Sequence, residues 1–294
     1  MAMVHSPWKR YLICWGVIWS LQATFCGFPA RVRLRQTLAP FRTSKYPKVS
    51  RAAGNRMLHA MLHVQNIDDS LKFYQNLGMK VLSCNRRSNG AATAFIGFGE
   101  LRDMASFALE LSAPQPKVDQ ANLARKGISI GSFKGITVSQ PAELGGGQLD
   151  PDGYPIGILP QTQASIVALC LETSDLDSSI SFYTQKLGMS RAEGPVQHGE
   201  ANVSTDICYL QYPSGPQTFL CLRQSNVPVD LGTGFDHLVI STADVEAAAA
   251  QLQEKGVKIA LPPTVMFGLK ITGVVDDDGY KIYLVDETDF QKGA

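Results

Sequence analysis

Two stretches of this chain carry the same pattern, and that duplication limits its possible folds more than any other feature. Asn66-Ile67-Asp68-Asp69-Ser70-Leu71-Lys72-Phe73-Tyr74 leads to Leu77-Gly78-Met79, and Asp175-Leu176-Asp177-Ser178-Ser179-Ile180-Ser181-Phe182-Tyr183 leads to Leu187-Gly188-Met189. A second pair lies downstream of each: Asp150-Pro151-Asp152-Gly153-Tyr154 and Asp276-Asp277-Asp278-Gly279-Tyr280. A supersecondary unit repeated in fixed order buries its apolar face against its own copies. Where the copies diverge, chemistry has been kept in one and lost in the other.

The modules can be read from periodicity. Met57 to Val64 alternates as a strand, and Asp68 to Leu77 is amphipathic with Gly78 placed to cap it. Strand-like runs follow at Lys80–Cys84, Ala91–Gly97 and Phe107–Leu111, giving one strand–helix–three-strand module. Another opens at Ser165, with helix Asp177–Leu187 and a last strand near Phe219–Leu222. A further one opens at His237, with helix Ala243–Lys255 and a final strand Lys281–Val285. The remaining module, Asn122 to Leu159, is short. Aligning Gly127 with Gly256, and Glu110 with Cys221, places a gap of 18 residues between Glu110 and Gly127. The first half is therefore expected to lack a counterpart of the His237 strand. The predicted class is α+β, with modules pairing into two barrel-like sheets, one of them degenerate.

The net charge of +1 hides an asymmetry. No acid precedes Asp68, while ten of the 27 Lys and Arg residues lie at or before Arg56. The remainder carries 17 basic against 26 acidic residues, a net −9, which argues against a nucleic-acid partner. Lys9 and Arg10, then the apolar run Tyr11–Leu21, read as a signal peptide; at eleven residues that run is shorter than the ~20 a bilayer span needs. The Arg-rich stretch 28–56 reads as an organellar transit segment. The expected organisation is thus a leader at 1–56, a first domain at 57–160 and a second at 161–294. Signal plus transit points to a plastid, with the secretory pathway as the alternative, and to no membrane association once the leader is gone. Cys84, Cys170, Cys208 and Cys221 show no CxxC spacing, so neither a disulfide framework nor a zinc ribbon is expected.

The order of His59-Ala60-Met61-Leu62-His63-Val64, Phe73-Tyr74 with Leu77-Gly78-Met79, Leu109-Glu110-Leu111 and Asp150-Pro151-Asp152-Gly153-Tyr154 resembles the glyoxalase I branch of the vicinal oxygen chelate superfamily. The chain's ending, Asp278-Gly279-Tyr280-Lys281 through Phe290, is similar to the two-domain plant form. The resemblance implies that modules one and four share one sheet and modules two and three the other. It also implies a divalent metal held by His59, Glu110, His237 and a fourth position occupied here by Tyr283. The matching positions of the second sheet hold Ala168, Cys221 and Gly157, with the fourth in the missing strand. Strand alternation puts His59, Met61 and His63 on one face, and Glu110 between two leucines is a carboxylate that needs a partner.

Imidazole plus carboxylate suits zinc or nickel, also cobalt or iron(II). By the resemblance, Glu110 is the general base acting on the hemithioacetal of methylglyoxal with glutathione as co-substrate, giving S-lactoylglutathione. Glu287 is placed two rungs beyond Tyr283 on the same strand face, too far to replace it. His63 and Lys270 occupy positions where the family binds its thiol. The expected partner is a small molecule and the expected state a monomer. Two histidines and one carboxylate are also the iron(II) set of ring-cleaving dioxygenases, the alternative activity; a noncatalytic binder is the third reading.

Overall fold

The computed structural model describes residues 54–100, 106–114, 127–140, 146–195, 206–214 and 218–292. All but the last three residues of the expected leader lie outside these. The first module is β1 (Arg56–His63), α1 (Ile67–Asn76), β2 (Lys80–Arg86), β3 (Ala92–Gly97) and β4 (Ala108–Ala113). The second is β5 (Phe133–Gln140), β6 (Gly146–Leu149) and β7 (Pro155–Pro160). The third is β8 (Ser165–Thr173), α2 (Leu176–Ser181), β9 (Ser190–Ala192), β10 (Ile207–Gln211) and β11 (Phe219–Gln224). The fourth is β12 (Phe235–Thr242), α3 (Val245–Glu254), β13 (Ile259–Met266), β14 (Leu269–Val275) and β15 (Lys281–Asp286), followed by α4 (Glu287–Lys292).

The helices start and stop as their sequences dictate. Asn66 caps α1, its side chain accepting from the amides of Asp68 and Asp69, and Gly78 follows the last turn at φ 80. Asp175 and Asp244 cap α2 and α3, accepting from the amides of Ser178 and Ala247 respectively. The second copy carries one residue more than the first between its tyrosine and its Leu-Gly-Met. That residue is absorbed as a π turn at Phe182–Lys186, so the apolar face of α2 keeps its register against the sheet.

Two mixed sheets result: eight strands in the order β13-β14-β15-β12-β1-β4-β3-β2, and seven in the order β6-β7-β5-β8-β11-β10-β9. Each is built around one antiparallel pair, β1 with β12 and β5 with β8, flanked by parallel neighbours. Modules one and four do share a sheet, and so do two and three.

The expected missing strand is present. β5 pairs with β8 as β12 pairs with β1: Phe133 stands opposite Leu171 where Phe235 stands opposite Leu62. The second module goes from β5 to β6 across residues 141–145, where the fourth inserts α3 and β13 between β12 and β14. The shortening therefore falls after the strand, and the Gly127–Gly256 alignment put it before.

The repeated motifs persist because they tie the modules together. The Tyr74 hydroxyl donates to Asp150 Oδ2 at 2.9 Å, and the Tyr183 hydroxyl donates to Asp276 Oδ2 at 2.8 Å. The other oxygen of each aspartate accepts two amides of its own turn, those of Asp152 and Tyr154 or of Asp278 and Tyr280. Tyr154 then donates to the His63 carbonyl, and Tyr280 to the Glu172 carbonyl. Both tyrosine–aspartate pairs are buried, where an unmade hydrogen bond costs about 1–3 kcal/mol.

Candidate metal centre

Three adjacent strands of the eight-stranded sheet carry the candidate ligands. Met61 of β1 stands opposite Glu110 of β4 on one side and His237 of β12 on the other, while His59 lies two residues back on the same face of β1. A ligating atom from each of His59, Glu110 and His237 falls within 4.8 Å of those of the other two. His59 Nε2 is 3.1 Å from Glu110 Oε2. The histidine rings meet edge to face with centroids 6.2 Å apart.

Two bulges aim these side chains. Leu58 is the extra residue of β1 between Met57 and His59, and Asp236 is the extra residue of β12 where Met61 pairs with His237 and Leu62 with Phe235. A bulge re-aims its neighbours and breaks strand alternation, so periodicity gave no sign of Asp236. Its carboxylate anchors one end of the site. Asp236 Oδ2 lies 2.7 Å from His237 Nδ1, and Oδ1 accepts from Lys281 Nζ at 2.8 Å and lies 3.8 Å from His63 Nε2. Contacts with His237, His63 and Lys281 outweigh burial and hold this carboxyl well below the usual range.

Electrostatics separate the other members. Burial lowers the pKa of His59 despite the pull of Glu110, so the contact is a hydrogen bond from a neutral imidazole rather than an ion pair. Burial would raise the pKa of Glu110, but the hydrogen bond and charge of His59, with the charge of His237, bring it below its ordinary value. Glu110 is thus a carboxylate at neutral pH. His59 Nδ1 is buried with no hydrogen-bond partner.

Aromatic rings wall the cluster. Phe95 meets His59 edge to face at 5.0 Å, and Phe290 of α4 stacks over it at 6.3 Å. Tyr283 lies against His237 at 4.8 Å. Its ring rests on Gly273, where a Cβ would stand 2.7 Å from it. The fourth position is therefore filled by an aromatic wall packed with Leu58, Val239 and Val285.

The remaining expected residues lie elsewhere. Lys270 is exposed and pairs with Glu246 of α3 at 3.7 Å, on the face of β14 opposite Ile271 and Tyr283. His63 sits at the rim of a cavity of about 280 Å³ lined by Thr233, Asp236, Tyr280 and Lys281. Glu287 opens α4 and contacts Gln291, so it is not on the terminal strand at all. Sequence reasoning did not single out Asp236, Phe95 or Phe290. A histidine preceded by an acid was the only available sign of the first.

A model of the Glyoxalase/Bleomycin resistance protein/Dioxygenase superfamily matches residues 165–284. The fold is that of this superfamily: the crystal structure of glyoxalase I from Zea mays superposes with a TM-score of 0.66 at 28% identity, over 81% of this chain and 95% of that one. The lactoylglutathione lyase of Oryza sativa subsp. japonica is 30% identical over 274 residues, 81% of this chain and 91% of that protein. "Probable lactoylglutathione lyase, chloroplastic" of Arabidopsis thaliana is 28% identical over 81% of this chain and 74% of its own length. The chain belongs to the glyoxalase I, or lactoylglutathione lyase, family of carbon–sulfur lyases.

Proposed function

We propose that this protein is a metal-dependent glyoxalase I with one working site, isomerising the hemithioacetal of methylglyoxal and glutathione to S-lactoylglutathione. The observation that carries the reading is the convergence of His59, Glu110 and His237 from three strands and two remote modules, their ligating atoms within 4.8 Å. The donor set fits a first-row divalent cation: two imidazoles and a carboxylate without thiolate suit zinc or nickel. His237 has its outer nitrogen fixed by Asp236, as ligating histidines usually do, and the unpartnered nitrogen marks His59 as a ring whose hydrogen bonding the protein alone does not complete.

Held by His59, Glu110 and His237, such a cation would supply Lewis-acid stabilisation of negative charge developing on the substrate oxygens. The protein's own groups supply the rest. Glu110, ionised at neutral pH, takes the proton from the carbon next to sulfur and returns it to the neighbouring carbon. Phe95, Phe290 and Tyr283 keep bulk water from the exchanging proton. Asp236 cannot serve as base, because His237, His63 and Lys281 already claim its lone pairs.

Purified protein loaded with nickel or zinc should form S-lactoylglutathione from the two reagents, and His237→Ala should lose both metal and activity. Absence of product with every divalent metal would overturn the reading. The same ligand set fits an iron(II) ring-cleaving dioxygenase, which oxygen uptake with iron(II) and a catechol would reveal. A plastid location is supported by the basic, acid-free leader and by a relative named chloroplastic; a fluorescent fusion of the leader checks it. No helix among the described residues is long and apolar enough to cross a membrane. One chain contributes both partners to each central strand pair, which supports a monomer, testable by sedimentation.

A further inference from the structure

We infer that Cys170 and Cys221, on the second sheet, form a dithiol that a low-molecular-mass disulfide oxidises reversibly to an intrachain disulfide. The two residues stand directly opposite each other on parallel neighbours β8 and β11. Their sulfurs are 2.9 Å apart. Adjacent strands run ~4.8 Å apart, inside the Cα separation of about 4.4–6.8 Å that disulfides span, so closing to a bond of ~2.05 Å moves the sulfurs by under about 1 Å.

The surroundings favour the reaction. On this face the first sheet carries His59, His237 and Tyr283, whereas the second carries Ala168, Gly135 and Gly157 at the matching positions. No ligand-sized side chain therefore crowds the pair from those positions. Cys170 is partly exposed and Cys221 buried. The hydrogen bond from Cys170, and a further one from Tyr209, lower the pKa of Cys221 against the opposing effect of burial, and thiolate is the attacking form. Cys208, on the next strand, pairs with Leu222 and so faces the other side of the sheet. Cys84 is on the other sheet.

The exchange balances without a further reactant. One cysteine sulfur displaces a thiol from the small disulfide, forming a mixed disulfide. The second cysteine sulfur then attacks the protein sulfur and releases the other thiol. The protein loses two hydrogens, and the reagent disulfide is reduced to two thiols. The inference concerns the second sheet alone and does not depend on a metal at the first.

The test uses the full-length protein, equilibrated with glutathione and glutathione disulfide at graded ratios, quenched by alkylation and digested with chymotrypsin. Cleavage after Tyr209 or Phe219 separates Cys208 from Cys221. The expected result is the loss of two alkylatable thiols per chain as the disulfide fraction rises, with a linked Cys170–Cys221 peptide that dithiothreitol releases. Full alkylation of both cysteines in the most oxidising buffer would overturn the inference. So would linkage to a different cysteine, or accumulation of a glutathione mixed disulfide alone.

Discussion

The two sheets are built to one plan, and they part company at four positions on one face. The first presents His59, Glu110, His237 and Tyr283; the second presents Ala168, Cys221, Gly135 and Gly157 in the same register. The strands beneath are the same, so the difference shows how little of the fold the chemistry requires. The difference also reaches the backbone. Gly135 sits at φ 98, and a Cβ there would stand 1.9 Å from the Pro155 carbonyl oxygen. No histidine fits that position while β7 stays where it is.

The widest separation between the sheets should appear in catalysis. Glu110→Gln keeps a side chain able to contact His59 but removes the proposed base, and kcat should fall by about 10²–10⁴. Cys221→Ala, the matching change on the second sheet, should leave kcat and KM as they were. Steady-state kinetics on both variants decides the matter, and equal losses would mean that the sheets are not divided into working and vestigial.

Next in size is a test of the second sheet's closure. Gly135→Ala must hold an L-residue in left-handed backbone, about 1–2 kcal/mol, and displace β7, about 1–3 kcal/mol more as overpacking. Urea unfolding should show that loss, with kcat per folded molecule unchanged. Unaltered stability would show that the second sheet can yield, and that its site is empty for want of ligands rather than of room.

The repeated Asp-Gly-Tyr turns give a comparison in pH. Burial raises the pKa of Asp276 to about 6 and also raises that of Asp150, against the hydrogen bonds each accepts. A carboxyl whose folded pKa exceeds its unfolded value stabilises most when protonated. The contribution of Asp276 should thus be full below about pH 4 and be lost as pH rises through about 6, on the order of 3 kcal/mol in all. Thermal unfolding of Asp276→Asn should flatten that slope more than Asp150→Asn does. A slope equal to that of the unmodified protein would remove Asp276 as its source.

Much of this was legible in the residues, and the failures have physical causes. The repeats exposed four modules because caps and apolar spacing are local. Convergence of His59, Glu110 and His237 could be expected only through the family resemblance, since no local rule relates residues 59 and 110 to one as remote in the chain as 237. The shortened module was misplaced because a glycine was matched to a glycine. Phe133-Lys134-Gly135-Ile136 and Phe235-Asp236-His237-Leu238 share strand pairing but little sequence. Lys270, expected in a loop before the terminal strand, lies instead in β14 with its side chain paired to Glu246.

Asp236 yields the finest discrimination, because its structural counterpart on the second sheet carries the opposite charge. Each is the extra residue of a bulge in the central strand pair: Asp236 faces His63 and His237, whereas Lys134 pairs with Glu172 at 3.1 Å. The same backbone device thus orients a candidate ligand on one sheet and closes an ion pair on the other. That pair lies on the other sheet from the histidine cluster, so Lys134→Ala should change neither metal content nor rate. Asp236→Asn leaves His237 on its strand but weakens the contact that fixes its ring, and such outer partners typically contribute 10–100-fold in metal affinity. Competition with a metal chelator should therefore strip Asp236→Asn at about 10–100-fold lower chelator concentration, while excess metal restores most of its kcat. A variant that binds metal as tightly as the parent would reduce Asp236 to the role that Lys134 plays, a charge placed by a bulge and answered by its neighbours.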